Sequence, residues 1–446
     1  IADERALLAS YSSDSLLASS GEGTLIISNG TANLKGINIG NNAGSRGRLL
    51  IEAGSLIVPS NTLTIGNSGP GSVTLAHPDS YLENINGSAN IQLGNSAGNS
   101  GYLYVSNGSV ALRSMQIGNA GYGYVEIGSA TVSVNNLIYI PNTSATGTGT
   151  GTLVMVSADS ILTTTGATIR VGTRQAGISG SSASLIISNG TLNAGVVDVG
   201  QYSDGYLYLG DATIRVFNVG ANGIRLAQDG VGTGTLVMAK AGSLIDSPNA
   251  TLTMGRLTDG FGRLQMSNGV MNVADLVMSL SVKSKGAEAF VGDAQINVSS
   301  NIYLVASGAH CSTAMLTMVH ANASIIATNG TITMSYGTNT WSSFVISNGS
   351  VVADTWIASS SQSNEANSEV RIYAGTVTLT RAVSANYALS MGGQPNATNT
   401  TFLADPVARL VVTNGSRMRF GDRGTSHLVV SNGMVDAFDL WIGETM

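Results

Sequence analysis

Acid–base or metal chemistry in this 446-residue chain would fall to 26 acidic side chains, 4 histidines and 1 cysteine. Sites that cleave sugar chains need carboxylates converging with Arg or Lys, to supply acid and base or to hold Ca²⁺. Asp436 and Asp439 flank a corner near the end of the sequence, and Asp198, Asp275 and Asp354 take related positions in earlier repeats. If those repeats stack as coils, the carboxylates lie three coils and about 14 Å apart. They read as residues that keep corners soluble, and no catalytic residue is expected. His310-Cys311 with His320 is the one gathering of soft ligands, too few for structural zinc. His77-Pro78-Asp79 reads as a turn, and the Ca²⁺-binding nonapeptide Gly-Gly-x-Gly-x-Asp is absent. No metal and no cofactor is therefore expected.

Tyrosine offers more. Tyr102, Tyr104, Tyr122 and Tyr124, with Tyr206 and Tyr208 further on, alternate with apolar residues and could form an aromatic platform for sugar rings. Cross-strand packing on a sheet face is the competing reading. Thr-x-Thr pairs at Thr62/Thr64, Thr251/Thr253, Thr331/Thr333 and Thr376/Thr378 would order water against ice only as a ladder, and they recur mostly every third coil. Arg417-Met418-Arg419 with Arg423 reads as a solvated edge. With 10% charged residues and a net charge of −6 there is no basic stripe for phosphate, so nucleic acid is not an expected partner.

The elements that carry these residues come from a repeat. Ser-Asn-Gly occurs six times in one gap-free 16-residue frame, with turns at Asn29-Gly30, Asn107-Gly108, Asn189-Gly190, Asn268-Gly269, Asn348-Gly349 and Asn432-Gly433. The asparagines are 78, 82, 79, 80 and 84 residues apart. Two further phrases fill each gap. One turns at Gly54, Gly128, Gly210, Gly292 and Gly375. The other opens Ser72-Val73-Thr74-Leu75, Thr152-Leu153-Val154-Met155, Thr235-Leu236-Val237-Met238, Met315-Leu316-Thr317-Met318 and Arg409-Leu410-Val411-Val412. The unit is thus a triplet of coils of roughly 27 residues each, a solenoid period, giving about 16 coils in all. Apolar pairs two residues apart, as at Val110/Leu112 and Met115/Ile117, mark strands, and the slip between pairs marks a corner. Asn-Gly supplies a turn because both residues tolerate positive φ. A hairpin is the usual reading of Asn-Gly. It is set aside because each flank matches the next copy better than it matches the other flank.

The composition, 43% apolar and rich in Gly, Ser, Thr and Asn, leaves little for helix. Residues 2–9 are the exception: their Ala and Leu pattern suits two helical turns capping the first coil, the rival being a partial coil in which Asp14-Ser15-Leu16-Leu17 echoes Asp79-Ser80-Tyr81-Leu82. A solenoid core lengthens without thickening, so one domain suffices for this length. The expected division is an N-terminal capping or subunit-contact segment at 1–20 and a single continuous solenoid over 21–446. No run of 18 apolar residues offers a membrane-spanning helix. A chain beginning at Ile1 suggests removal of a signal segment or trimming, and one cysteine excludes an intrachain disulfide.

The phrase Gly101-Tyr102-Leu103-Tyr104-Val105-Ser106-Asn107-Gly108, followed by Ile117-Gly118-Asn119-Ala120-Gly121-Tyr122-Gly123, resembles the β-strand repeats of autotransporter passengers and PEP-CTERM-associated surface proteins of bacteria. That resemblance implies a parallel β-helix, export, and a role at or beyond the cell surface as adhesin, filament or matrix component. The sequence departs from it in having no C-terminal transmembrane barrel pattern and no PEP-CTERM tail.

The expectation is an all-β parallel β-helix, right-handed as most are, serving as a non-enzymatic extracellular structural protein that assembles head to tail with itself. Leu7, Leu8, Leu16 and Leu17 at one end and Leu440 and Ile442 at the other are its expected contacts. The alternatives are a surface adhesin or carbohydrate-binding β-helix, with glycans or a cell surface as partner, and a polysaccharide-degrading β-helix enzyme.

Overall fold

The computed structural model describes the whole chain except residues 1–6, 11–13, 87–89, 143–147, 174–180, 219, 229, 257–258, 281–283, 307–311, 336–338, 359–365, 382–386, 393–396, 422 and 444–446, and the side chains of 165 and 220–222. Among the described residues the fold is all-β, without helix, and parallel coils stack into a β-solenoid of about 15 turns. The chain divides into two compact units, Ile1–Phe217 and Asn218–Met446.

Within each unit the complete coils contribute to three rows of parallel strands. In the first unit the first row begins with Glu22–Ile27, Arg46–Ile51 and Gly71–Leu75 and continues through the leading part of Ser100–Ile117. The register runs Leu25, Leu49, Val73, Leu103, Val125, Leu153, Leu185, Leu207, one residue per coil. Within the second unit a column of the same kind runs Leu236, Leu264, Ala289, Leu316, Phe344, Val370, Thr401, Leu428. Side chains alternate in and out along a strand, so such columns build a continuous core while their neighbours face solvent. Leu112, Met115 and Ile117 are 0% exposed, as the two-residue spacing predicts. The corner between the second and third rows appears as a register shift after Leu112. Volume is balanced within a coil: Phe344 and Trp356 meet across the core at 5.0 Å, and the same coil carries only Ala353 and Ala358 at two other inward positions.

The first corner explains why the repeat is three coils long. In the third coil of each triplet it is a four-residue turn, closed by Ser80 N–H to His77 O at 2.9 Å, Ser160 to Ser157 at 3.0 Å and Ser243 to Lys240 at 3.0 Å. The buried Ser160 hydroxyl then donates to Ile127 O at 3.0 Å and Gly128 O at 2.7 Å, in the coil before. The next Ser-Asn-Gly closes over that turn. Gly190 takes φ +92°, and a Cβ there would lie 2.5 Å from Ser160 O. In five of the six Ser-Asn-Gly turns, all but that of Gly30, the glycine takes positive φ and the asparagine before it does not. The second coil fits over Ser-Asn-Gly by close approach instead, since a Cβ on Gly128, Gly210 or Gly292 would lie 2.6, 2.5 or 2.9 Å from the carbonyl of Ser106, Ser188 or Ser267. Each corner is shaped to the one beneath it, so the three types must follow in order.

Three local expectations are corrected. Arg409–Val412 pairs with 376–379 in the second row and does not open a third-type coil; that coil opens on Thr398–Leu403. Leu7–Ser10 is a strand pairing with Thr31–Leu34, so a partial coil replaces the helix over its described residues. Ser15–Leu17 pairs with Ile37–Ile39 in the third row, whereas Tyr81–Asn84 belongs to the second, so the proposed echo joins different rows. In both strands, pairing with the next coil supplies more than local helix propensity does.

Candidate functional site

The strongest cluster of chemically distinctive side chains is the tyrosine group. Ser100–Ile117 and Tyr122–Ile140 pair so that Ser100 faces Tyr122, Tyr102 faces Tyr124 and Tyr104 faces Glu126, all on the outward side of the first row. Tyr102 and Tyr104 are stacked, 6.1 Å between centroids with planes 2° apart. Tyr122 lies 5.9 Å from Tyr102, and Tyr124 lies 5.9 Å from Tyr104 at 53°. Tyr122 is the exposed member at 37%, and the other three are half-buried. A groove of about 370 Å³ runs beside them, lined by Asn99, Ser100, Tyr102, Tyr122 and Thr150.

Burial raises the phenol pKa of Tyr104, Tyr122 and Tyr124, and at Tyr124 a hydrogen bond to Glu126 Oε2 at 2.8 Å raises it further. Tyr81 repeats that pair two coils earlier: its hydroxyl donates to Glu83 Oε2 at 2.6 Å, and burial with this bond pushes it up to about 12. In this group Tyr104, Tyr122 and Tyr124 therefore keep their hydroxyl protons well above neutral pH. Tyr206 and Tyr208 do not join it, because the coils of Thr152 and Ser184 intervene.

Four of the five candidate carboxylates are tied up locally. Asp198 is fully buried, 3.8 Å from the Arg170 Nε. Asp275 accepts Asn301 N–H at 3.0 Å, Asp354 accepts the Thr355 hydroxyl at 3.1 Å, and Asp439 is 3.3 Å from Arg417. Asp436 lies in the second row of the final described coil. Among the described residues no three or more His, Cys, Asp or Glu gather to hold a metal. His310 and Cys311 lie outside the described residues, and His320 instead accepts Asn322 N–H at 3.3 Å within a third-type turn, as His77 does from Asp79 at 3.2 Å. Arg417 and Arg419 lie over the rings of Trp441 and Tyr387 at 5.1 and 4.1 Å, while Met418 between them is in the core. The Thr-x-Thr pairs fall in two rows: Thr253 and Thr333 in the third, Thr376 and Thr378 in the second.

At the two ends, register divides the named leucines. Leu8 and Leu17 continue the inward columns of Ala32 and Ile39, whereas Leu7 and Leu16 pair with Thr31 and Asn38 and face outward. Leu440 and Ile442 continue the inward columns of Met418 and Phe420, yet are 44% and 66% exposed.

Sequence reasoning missed an asparagine ladder at the end of the third row. Asn67 donates to Asn41 at 3.1 Å, Asn95 to Asn67 and Asn119 to Asn95 at 2.8 Å, and Asn142 to Asn119 at 3.3 Å. Its signal was a recurrent apolar-Gly-Asn or Ile-Pro-Asn, at 39–41, 65–67, 93–95, 117–119 and 140–142. Among the described residues no helix is long and apolar enough to cross a membrane. No family model and no curated protein matches the chain.

Proposed function

We propose that this is a non-enzymatic extracellular structural protein, the subunit of a cell-surface filament or matrix that grows head to tail by continuing its solenoid from one copy into the next. The observation that carries the reading is that one coil offers the next the same inward columns in register, as Met418 offers Leu440 and Phe420 offers Ile442. Such a face, with its unpaired strand edges, is stabilised by one more coil in register. Leu8 and Leu17 supply that coil's inward residues at the other end, so the contact is heterologous and propagates. The extracellular placement rests on the resemblance of the coil phrase and on a surface built from Ser, Thr, Asn and Gly rather than charge. Electron microscopy of the purified chain tests the assembly. Polymers are expected for the chain and single particles for Ile442→Glu, whereas single particles for both would reject it.

A second reading, adhesion through carbohydrate binding, is favoured by the 370 Å³ groove beside the tyrosine rings, where burial holds the Tyr122 hydroxyl protonated. It predicts glycan-array binding that disappears in Tyr102→Ala/Tyr104→Ala, and an array with no such signal rejects it.

A further inference from the structure

The outward face of the first row in the second unit holds a notch of about 260 Å³ between two aromatic side chains. Phe261 pairs with Gly286, Ala287 with Ala314, and Thr313 with Trp341, which sets Phe261, Gly286, Thr313 and Trp341 in one column on successive coils. With neighbouring strands about 4.8 Å apart, the two rings stand about 14 Å from each other. The column between them narrows to a glycine and a threonine, and a Cβ on Gly286 would run into the carbonyl of Thr313. Buried Ala287 and Ala314 form the floor. Trp341 is 41% exposed, in contrast to Trp356 at 1% in the core. Glu288 lines the notch, held 3.3 Å from the guanidinium of Arg263, which itself lies 5.7 Å from the centroid of the Phe261 ring.

We infer that this notch is a binding site for a neutral oligosaccharide. A sugar ring offers apolar C–H faces to an aromatic ring and a rim of hydroxyls that both donate and accept. Phe261 and Trp341 supply the two faces, Glu288 an acceptor and Arg263 donors, each half exposed. Their opposite charges cancel, so the notch has no field to draw a polyanion. The separation of the rings suits a short chain of sugars rather than one ring. In the tyrosine group the rings touch one another; here a gap lies between them. The inference stands apart from head-to-tail assembly, which involves neither residue.

Intrinsic fluorescence and calorimetry of the full chain with a panel of neutral gluco-, manno- and N-acetylglucosamine oligomers test it. Trp341 is the exposed reporter of the notch. At least one oligomer is expected to shift the emission. Its affinity should fall about tenfold or more, roughly 1.4 kcal/mol, in both Trp341→Ala and Thr313→Lys. Thr313→Lys fills the notch from an exposed position while leaving both aromatic residues in the chain, and an unchanged denaturant midpoint certifies its fold. Phe217→Ala, at an exposed aromatic outside the notch, should bind as the parent chain does. No binding by any oligomer, or undiminished binding by folded Thr313→Lys, overturns the inference.

Discussion

The glycines separate two physical reasons for one residue type. Gly44 and Gly190 both have positive φ, +79° and +92°, but a Cβ on Gly44 would meet nothing within 4 Å, whereas on Gly190 it would lie 2.5 Å from a backbone oxygen. Gly44→Ala should therefore cost only the left-handed conformation, about 1 to 2 kcal/mol. Gly190→Ala should cost clearly more, about 3 kcal/mol or above, because the rigid Ser160 carbonyl must also move. Equal losses in denaturant melts would contradict the closure of Ser-Asn-Gly over the third-type turn. The tyrosines make a second residue-scale prediction. Tyr81 keeps its proton up to about 12 in the fold, against an ordinary value near 10.0 in the unfolded chain. Below pH 10 both states are protonated and stability is intact. Between 10 and about 12 only the unfolded chain loses the proton, so stability falls as pH rises. Tyr81→Phe should flatten that fall, and tyrosinate absorbance showing every phenol titrating at the ordinary value would refute it.

At the scale of the element, the asparagine ladder is the sharpest case. Asn95 donates one bond of 2.8 Å and accepts another of 2.8 Å, whereas Asn142 donates one of 3.3 Å within the ladder. Asn95→Ala should cost about 2 kcal/mol and Asn142→Ala about 0.5 to 1 kcal/mol, measured by denaturant midpoints. Equal costs would mean that the ladder does not act as a row of bonds. The ladder also shows where reading stopped. Its members are 26, 28, 24 and 23 residues apart, so Gly-Asn looks like an isolated turn until the coils are aligned. Inward columns such as Leu103, Val125 and Leu153 were legible because strand alternation survives in every copy. The row of Arg409–Val412 was not, because an apolar residue at every second place is common to all three rows and only long-range pairing tells them apart. The tyrosine group was legible as four residues on neighbouring strands. The notch between Phe261 and Trp341 was not, because it is defined by what Gly286 and Thr313 leave empty.

At the scale of the molecule, a solenoid offers the same cross-section at each coil, so assembly and folding draw on one set of contacts. The columns state which residues must meet if a second copy continues the stack: Leu17 follows Ile442, as Ile39 follows Leu17 and Ile442 follows Phe420. Adjacent strands are about 4.8 Å apart, within the Cα separation a disulfide spans. The most direct test places Leu17→Cys in one chain and Ile442→Cys in another, both carrying Cys311→Ser, and mixes them under mild oxidation. Head-to-tail assembly predicts a mixed disulfide dimer that neither chain gives alone. Absence of the mixed dimer, or equal dimer from each chain by itself, would contradict it.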